Sequence, residues 1–127
     1  MLTIEVALKA YASMMNTLDS SKLEPLLSPD FHYESQMVFS EITSKQEYLY
    51  YINPKLEAVR ASGAKVWAEM AMLTHSIPGP CVVLAQGEKE NLVALVVAKV
   101  KGDFIERIDM CIVPAPQSAK RSGDYPS

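Results

Sequence analysis

Up to about residue 63 the apolar positions of this chain recur at steps of three and four. Beyond it they recur at steps of two or run unbroken, so the chain reads as helices followed by strands. From about Thr3 to Asn16 the apolar set Ile4, Ala7, Leu8, Tyr11, Met14 and Met15, continued by Leu18, forms one helical face, with Glu5, Lys9, Ser13 and Asn16 opposite. Residues 19–21 offer caps for a short second helix ending near Leu27, and Pro25 is tolerated there only in the first turn, which sets the start near Ser21. Ser28-Pro29-Asp30 then stops the helix, because the residue before a proline is pushed out of the helical region. Phe31, Tyr33 and Ser35 alternate with His32 and Glu34 as in a half-buried strand. Ser44 and Glu47 have the spacing of a capping box. They open a third helix carrying Tyr48, Leu49, Tyr51, Ile52, Leu56 and Val59, which Gly63 ends. Pro54 predicts a kink there, or a restart with Asn53 as cap.

Four strands follow, Lys65–His75, Cys81–Gln86, Asn91–Lys101 and Phe104–Val113. The turns between them are short and rich in Gly, Pro or charge, at 77–80, 87–90 and 101–103, which predicts an antiparallel meander. Residues 114–127 lack periodicity and apolar content, so a single domain over 1–113 with a flexible tail is expected. The fold class is α+β, a curved antiparallel sheet forming a cone closed by three N-terminal helices.

Composition narrows the function more than the fold. The 127 residues carry 12 basic and 15 acidic side chains, a net charge of −3 without a basic stripe, which speaks against a nucleic-acid partner. No apolar run is long enough to span a bilayer and the N-terminus lacks the order of a signal peptide, so no membrane partner and a cytoplasmic location are expected. Cys81 and Cys111 sit in apolar strands and read as free, unreactive thiols. The chain has only two histidines, His32 and His75, and no metal-ligand spacing, so no metal and no cofactor are expected. By strand parity His32 faces solvent, and His75 stands at a strand end in a loop-capping position.

The order helix, short helix, Leu27-Ser-Pro-Asp-Phe-His-Tyr-Glu34, capped helix, then strands ending in Gly102-Asp-Phe-Ile-Glu-Arg-Ile-Asp-Met110, resembles the nuclear transport factor 2-like superfamily over about residues 2 to 113. That superfamily includes ketosteroid isomerases, scytalone dehydratases and polyketide cyclases. The resemblance implies a cone-shaped sheet with a pocket under the helices. It also implies that the position of the isomerases' aspartate base is held here by Ser35, which is no base near neutral pH. The dehydratases' paired His and Asp have no evident match.

The residues offer candidates for both binding and chemistry. Phe31, Tyr33, Ser35, Tyr48, Tyr51 and Trp67 are the candidate ligand-binding residues, since aromatics with polar tips can line a cavity and orient one polar group, although each could equally be core. Glu69 shares a strand face with Trp67, Ala71 and Leu73. Pointing inward it is a desolvated general base, pointing outward it is solvated, and Val66, Ala68, Met70 and Met72 form the cleaner core face. Asp109, the other catalytic candidate, lies by parity with Ile105, Arg107 and Cys111, where an ion pair with Arg107 is the simplest reading.

Two classes follow: a non-catalytic small-molecule-binding domain, favoured because no acid–base pair can be located, and a lyase or isomerase working by proton transfer on a small apolar substrate. A homodimer through the sheet is expected as well. Leu92–Val100 and Cys81–Ala85 do not alternate, so both faces of these strands need cover, while the helices can supply only one.

Overall fold

A computed structural model of the chain describes residues 1–75 and 78–127, with the side chains of Phe39 and Ser40 excepted. The turn expected at 77–80 therefore lies partly outside the described residues. Helix α1 (Ile4–Thr17) starts where Thr3 Oγ1 accepts from the Val6 amide at 3.1 Å and ends in a left-handed Leu18, φ 59°. The short second helix shrinks to a single 3-10 turn, Glu24–Leu26, with Pro25 in its first turn. Strands β1 (Leu27–Ser35) and β2 (Val38–Ile42) form a hairpin, and β2 is an element the sequence pattern did not reveal.

Helix α2 (Lys45–Ser62) is capped by Ser44, whose hydroxyl accepts from the Glu47 amide at 3.1 Å, and it ends at left-handed Gly63. It runs through Pro54 as one helix rather than restarting at Asn53. The proline's missing donor falls opposite Tyr50, on the exposed side of the helix, and the Asn53 side chain instead accepts from the Ser20 hydroxyl at 2.7 Å.

Strands β3 (Val66–Leu73), β4 (Gly79–Gln86), β5 (Leu92–Lys101) and β6 (Phe104–Cys111) form the expected meander. The sheet is mixed, however, because β1 lies parallel to β6, and with a short β7 (Lys120–Arg121) its strands among the described residues are ordered β2-β1-β6-β5-β4-β3-β7. Breaks in register in β1, β5 and β6 bend it. The break in β6 moves Ile105 off the face predicted from parity. Ile105 pairs with Val100 and is fully buried beneath the helices with Ile108, while Arg107 and Asp109 stay on the outer face.

The main core lies between the helices and the inner face of the sheet, where Leu8, Tyr11, Met14, Phe31, Tyr48, Val82, Val96 and Ile105 are buried. A second apolar cluster on the outer face joins Ala71, Leu73, Cys81, Val83 and Leu95 to Ala119. Its cover comes from the segment expected to trail free. The tail places a 3-10 turn, Pro116–Ser118, against β5, where Gln117 Nε2 donates to the Leu92 carbonyl at 3.2 Å. It continues as a short strand β7 (Lys120–Arg121) on the edge of β3.

The tail is fastened by Glu69, a carboxylate only 3% exposed, which accepts from Arg121 Nε at 2.7 Å, the Gly123 amide at 2.7 Å and the Tyr125 hydroxyl at 3.2 Å. Few apolar side chains are needed because charge-assisted hydrogen bonds and backbone pairing hold it. Leu95, Val83 and Cys81 are each fully buried inside one chain, so the tail covers part of the face on which a homodimer was argued, while Leu92, Val97 and Cys111 stay half-buried there.

Glu69→Gln should loosen this fastening. We expect a loss of about 1–3 kcal/mol in unfolding free energy and faster tryptic cleavage after Lys120 and Arg121, read by mass spectrometry. Unchanged cleavage and stability would show that the carboxylate does not hold the tail.

Candidate ligand-binding site

Between the two helices and the inner face of the sheet lies a cavity of about 550 Å³. Its wall is set by local sequence patterns. α1 contributes Tyr11, Met15 and Leu18. The three- and four-residue steps along α2 bring Tyr48, Tyr51, Ile52 and Lys55 to the same side. The sheet adds Tyr33 and Ser35 from β1, Leu84 from β4, Val93 and Ala94 from β5, and Met110 from β6. Exposed Met37, Lys55 and Gln86 stand at the mouth.

The polar chemistry of the wall is mostly phenolic. The rings of Tyr33 and Tyr48 lie 5.2 Å apart, those of Tyr33 and Tyr51 5.7 Å and those of Tyr48 and Tyr51 6.3 Å, centroid to centroid. Burial holds the hydroxyls of Tyr11 and Tyr48 well above the usual phenol pKa, and burial followed by the neighbouring Tyr51 raises that of Tyr33. These three hydroxyls therefore keep their protons at neutral pH and remain donors. Among the described residues the Tyr48 hydroxyl has no hydrogen-bond partner, while that of Tyr33 lies beside the Tyr51 and Ser35 hydroxyls and 4.0 Å from the Met110 sulfur. Lys55 Nζ donates to the Tyr51 hydroxyl at 2.7 Å and lies 4.4 Å from that ring's centroid. The Ser35 hydroxyl is occupied by the Met37 amide, from which it accepts at 3.1 Å.

The structure divides the sequence candidates. Tyr33, Ser35, Tyr48 and Tyr51 line the cavity together. Phe31 is fully buried behind them, edge-on to Tyr48 with centroids 5.0 Å apart, and does not line it. Trp67 and Glu69 belong to the opposite face, because Val66, Ala68 and Met70 are the inward residues of β3. Glu69 is desolvated as one reading required, but under the tail rather than in the cavity.

Asp109 also faces outward and takes two hydrogen bonds of 2.9 Å from Arg107, the ion pair expected from the sequence. Arg107 also reaches Glu34 at 3.0 Å, and His32 Nδ1 lies 2.6 Å from Glu41 on the same outer surface. The sequence reading missed Lys55 as a lining residue, although it stands one helical turn from Tyr51, and Tyr11, which lies on α1 where no candidate was drawn. Both cysteines are free, and burial pushes the Cys81 thiol up to about 11 and raises that of Cys111. Among the described residues, no group of three or more His, Cys, Asp or Glu side chains could hold a metal ion, and no helix is long and apolar enough to cross a membrane.

The sequence matches no family model and no curated protein. Solved structures do match. A nuclear transport factor 2-like protein of unknown function from Cytophaga hutchinsonii superposes with a TM-score of 0.57 at 10% identity, over 90% of this chain and 95% of that one. The chain has the nuclear transport factor 2-like fold. Two further structures share it. A protein provisionally named a polyketide cyclase, from Sinorhizobium meliloti, has a TM-score of 0.55 at 18% identity over 80% of this chain and 90% of its own. One provisionally named a ketosteroid isomerase, from Kribbella flavida, has a TM-score of 0.51 at 18% identity over 84% of this chain and 77% of its own. In this fold the cavity occupies the space between the sheet and α2.

Tyr48→Phe removes a buried hydroxyl that bonds to nothing, so the empty protein should be unchanged or more stable by about 1 kcal/mol in urea unfolding. A clear loss of stability would reveal a partner for that hydroxyl.

Proposed function

We propose that the protein reversibly binds a small, largely apolar molecule in the cavity between α2 and the sheet, without acting on it by acid–base catalysis. The observation that supports this reading is the composition of the wall. Among the described lining residues there is no Asp, Glu or His, so the cavity offers hydrophobic contact and hydrogen-bond donors but no carboxylate or imidazole to take a proton. A volume of about 550 Å³ lies within the range of small-molecule sites. The lyase or isomerase alternative needs a base at the ligand. Its two candidates, Glu69 and Asp109, lie across the sheet and are engaged by Arg121 and Arg107.

The binding reading is tested with a neutral fluorescent probe, N-phenyl-1-naphthylamine. It should bind with a blue shift in emission, and Val93→Trp, which fills space from the half-buried wall of β5, should weaken that binding by about tenfold or more. Equal binding by wild type and variant would place the probe elsewhere and defeat the proposal.

Self-association through the sheet is a separate reading. A strip of half-buried Leu92, Val97 and Cys111 beside the tail favours it, while the tail takes away most of the area it would need. Sedimentation at micromolar concentration should give a monomer for the unmodified protein, and a dimer there would restore the pairing expected from the sequence.

A further inference from the structure

The polar groups of the cavity are unbalanced, and the imbalance selects a ligand. The Lys55 ammonium can only donate. Its neighbour, the Tyr51 hydroxyl, accepts from it at 2.7 Å and lies beside the Tyr33 hydroxyl, and since one bond between two phenols uses only one of their protons, the pair keeps a second for another acceptor. Deeper in the cavity, Tyr48 carries a hydroxyl with no partner, although the residue is completely buried. Ser35 Oγ already accepts from the Met37 amide, and the wall's other neutral acceptor apart from the phenols, the Gln86 side-chain carbonyl, stands out at the mouth. Among the described residues no ion pair joins Lys55 to a carboxylate, which is true of every lysine but Lys9, and Lys55 is the one of them that lines this cavity. A cation left uncompensated at the mouth of an apolar cavity, with donors leading inward, is complementary to an acceptor bearing negative charge.

We infer that the ligand is an amphiphilic anion, an apolar body carrying one carboxylate group that sits between Lys55 Nζ and the Tyr51 hydroxyl. This deepens the binding reading above and rests on it. Tyr48 and Lys55 are separated by seven residues of one helix, a rise of about 10 Å, so the body extending inward from the charged group has room for a medium-length chain or a pair of fused rings. The Tyr51 ring is held in place by Tyr33 and Tyr48 and carries the ammonium above its face, so the anion site is set before the ligand arrives.

The test is displacement of N-phenyl-1-naphthylamine by three ten-carbon compounds, decanoate, decanol and decyltrimethylammonium, near neutral pH and below their micelle concentrations. Decanoate should displace the probe at concentrations about fivefold or more below those of decanol, in the range a partly exposed charged contact supplies, and the ammonium compound should be weakest. Lys55→Met keeps the aliphatic stem and should remove the preference for decanoate, while Lys55→Arg should retain it. Lys55 is exposed, so both variants are expected to fold, which binding of the neutral probe itself will report.

If decanol displaces the probe as well as decanoate does, or if Lys55→Met keeps the preference, the anion inference is overturned while the binding reading stands. A wild-type protein that does not bind the probe takes both down.

Discussion

Strands β4 and β5 are apolar on both faces, and much else in the molecule is arranged to satisfy that constraint. A sheet with one wet face would show polar residues at alternate positions, but Cys81, Val82, Val83 and Leu84 are buried in succession, as are Ala94, Leu95 and Val96. The helices cover one side with long side chains. The other side is covered by a segment with almost no large apolar side chains, so the cover must be held by something other than packing. The Glu69 carboxylate provides that hold. Buried alone it would be costly, but three donors from the tail meet its two oxygens.

The inner side is covered less completely, and that difference creates the cavity. α1 lies close to β3, β4 and β5, whereas α2 rests mainly on β1. The gap is bounded by tyrosines among aliphatic residues. A phenol can bury its ring while presenting a proton to whatever fills the space, so the same residues serve as core and as recognition surface. The distinction drawn from sequence between aromatic residues that pack and those that bind therefore dissolves for Tyr33, Tyr48 and Tyr51, which do both, and holds for Phe31, which only packs.

What the sequence revealed was what is local. Helical steps and strand alternation placed α1, α2 and the meander close to their observed limits, and the cap at Ser44 and the stop at Gly63 were readable from single residues. The pairing of β1 with β6 was hidden because it joins residues some seventy positions apart, and β2 because five residues carry too little period to register. Parity correctly grouped Glu69 with Trp67, Ala71 and Leu73. It could not say what would lie over them, since backbone hydrogen bonds and a single carboxylate leave no hydrophobic signature in the tail. Ile105 was misplaced for a different reason: one extra residue in a bulge reverses parity, and nothing in the sequence near Glu106 announces it.

The fastening of the tail also bears on how the protein behaves in a crowd of its own copies. β3 would otherwise be the border of the sheet, with the backbone groups of every second residue turned outward and unpaired. At Ala68, Met70 and Met72 these are taken. Ala68 exchanges two hydrogen bonds with the Asn16 side chain, which mimics a peptide group, Met70 bonds to Ser122 and Asp124, and Met72 pairs with Lys120. Asn16 also donates to the carbonyl of Pro126 at 2.7 Å, so the end of α1 and the last turn of the chain meet at that border. Losing the tail would therefore open a strand edge and an apolar face in the same event, the combination that templates growth of intermolecular sheets.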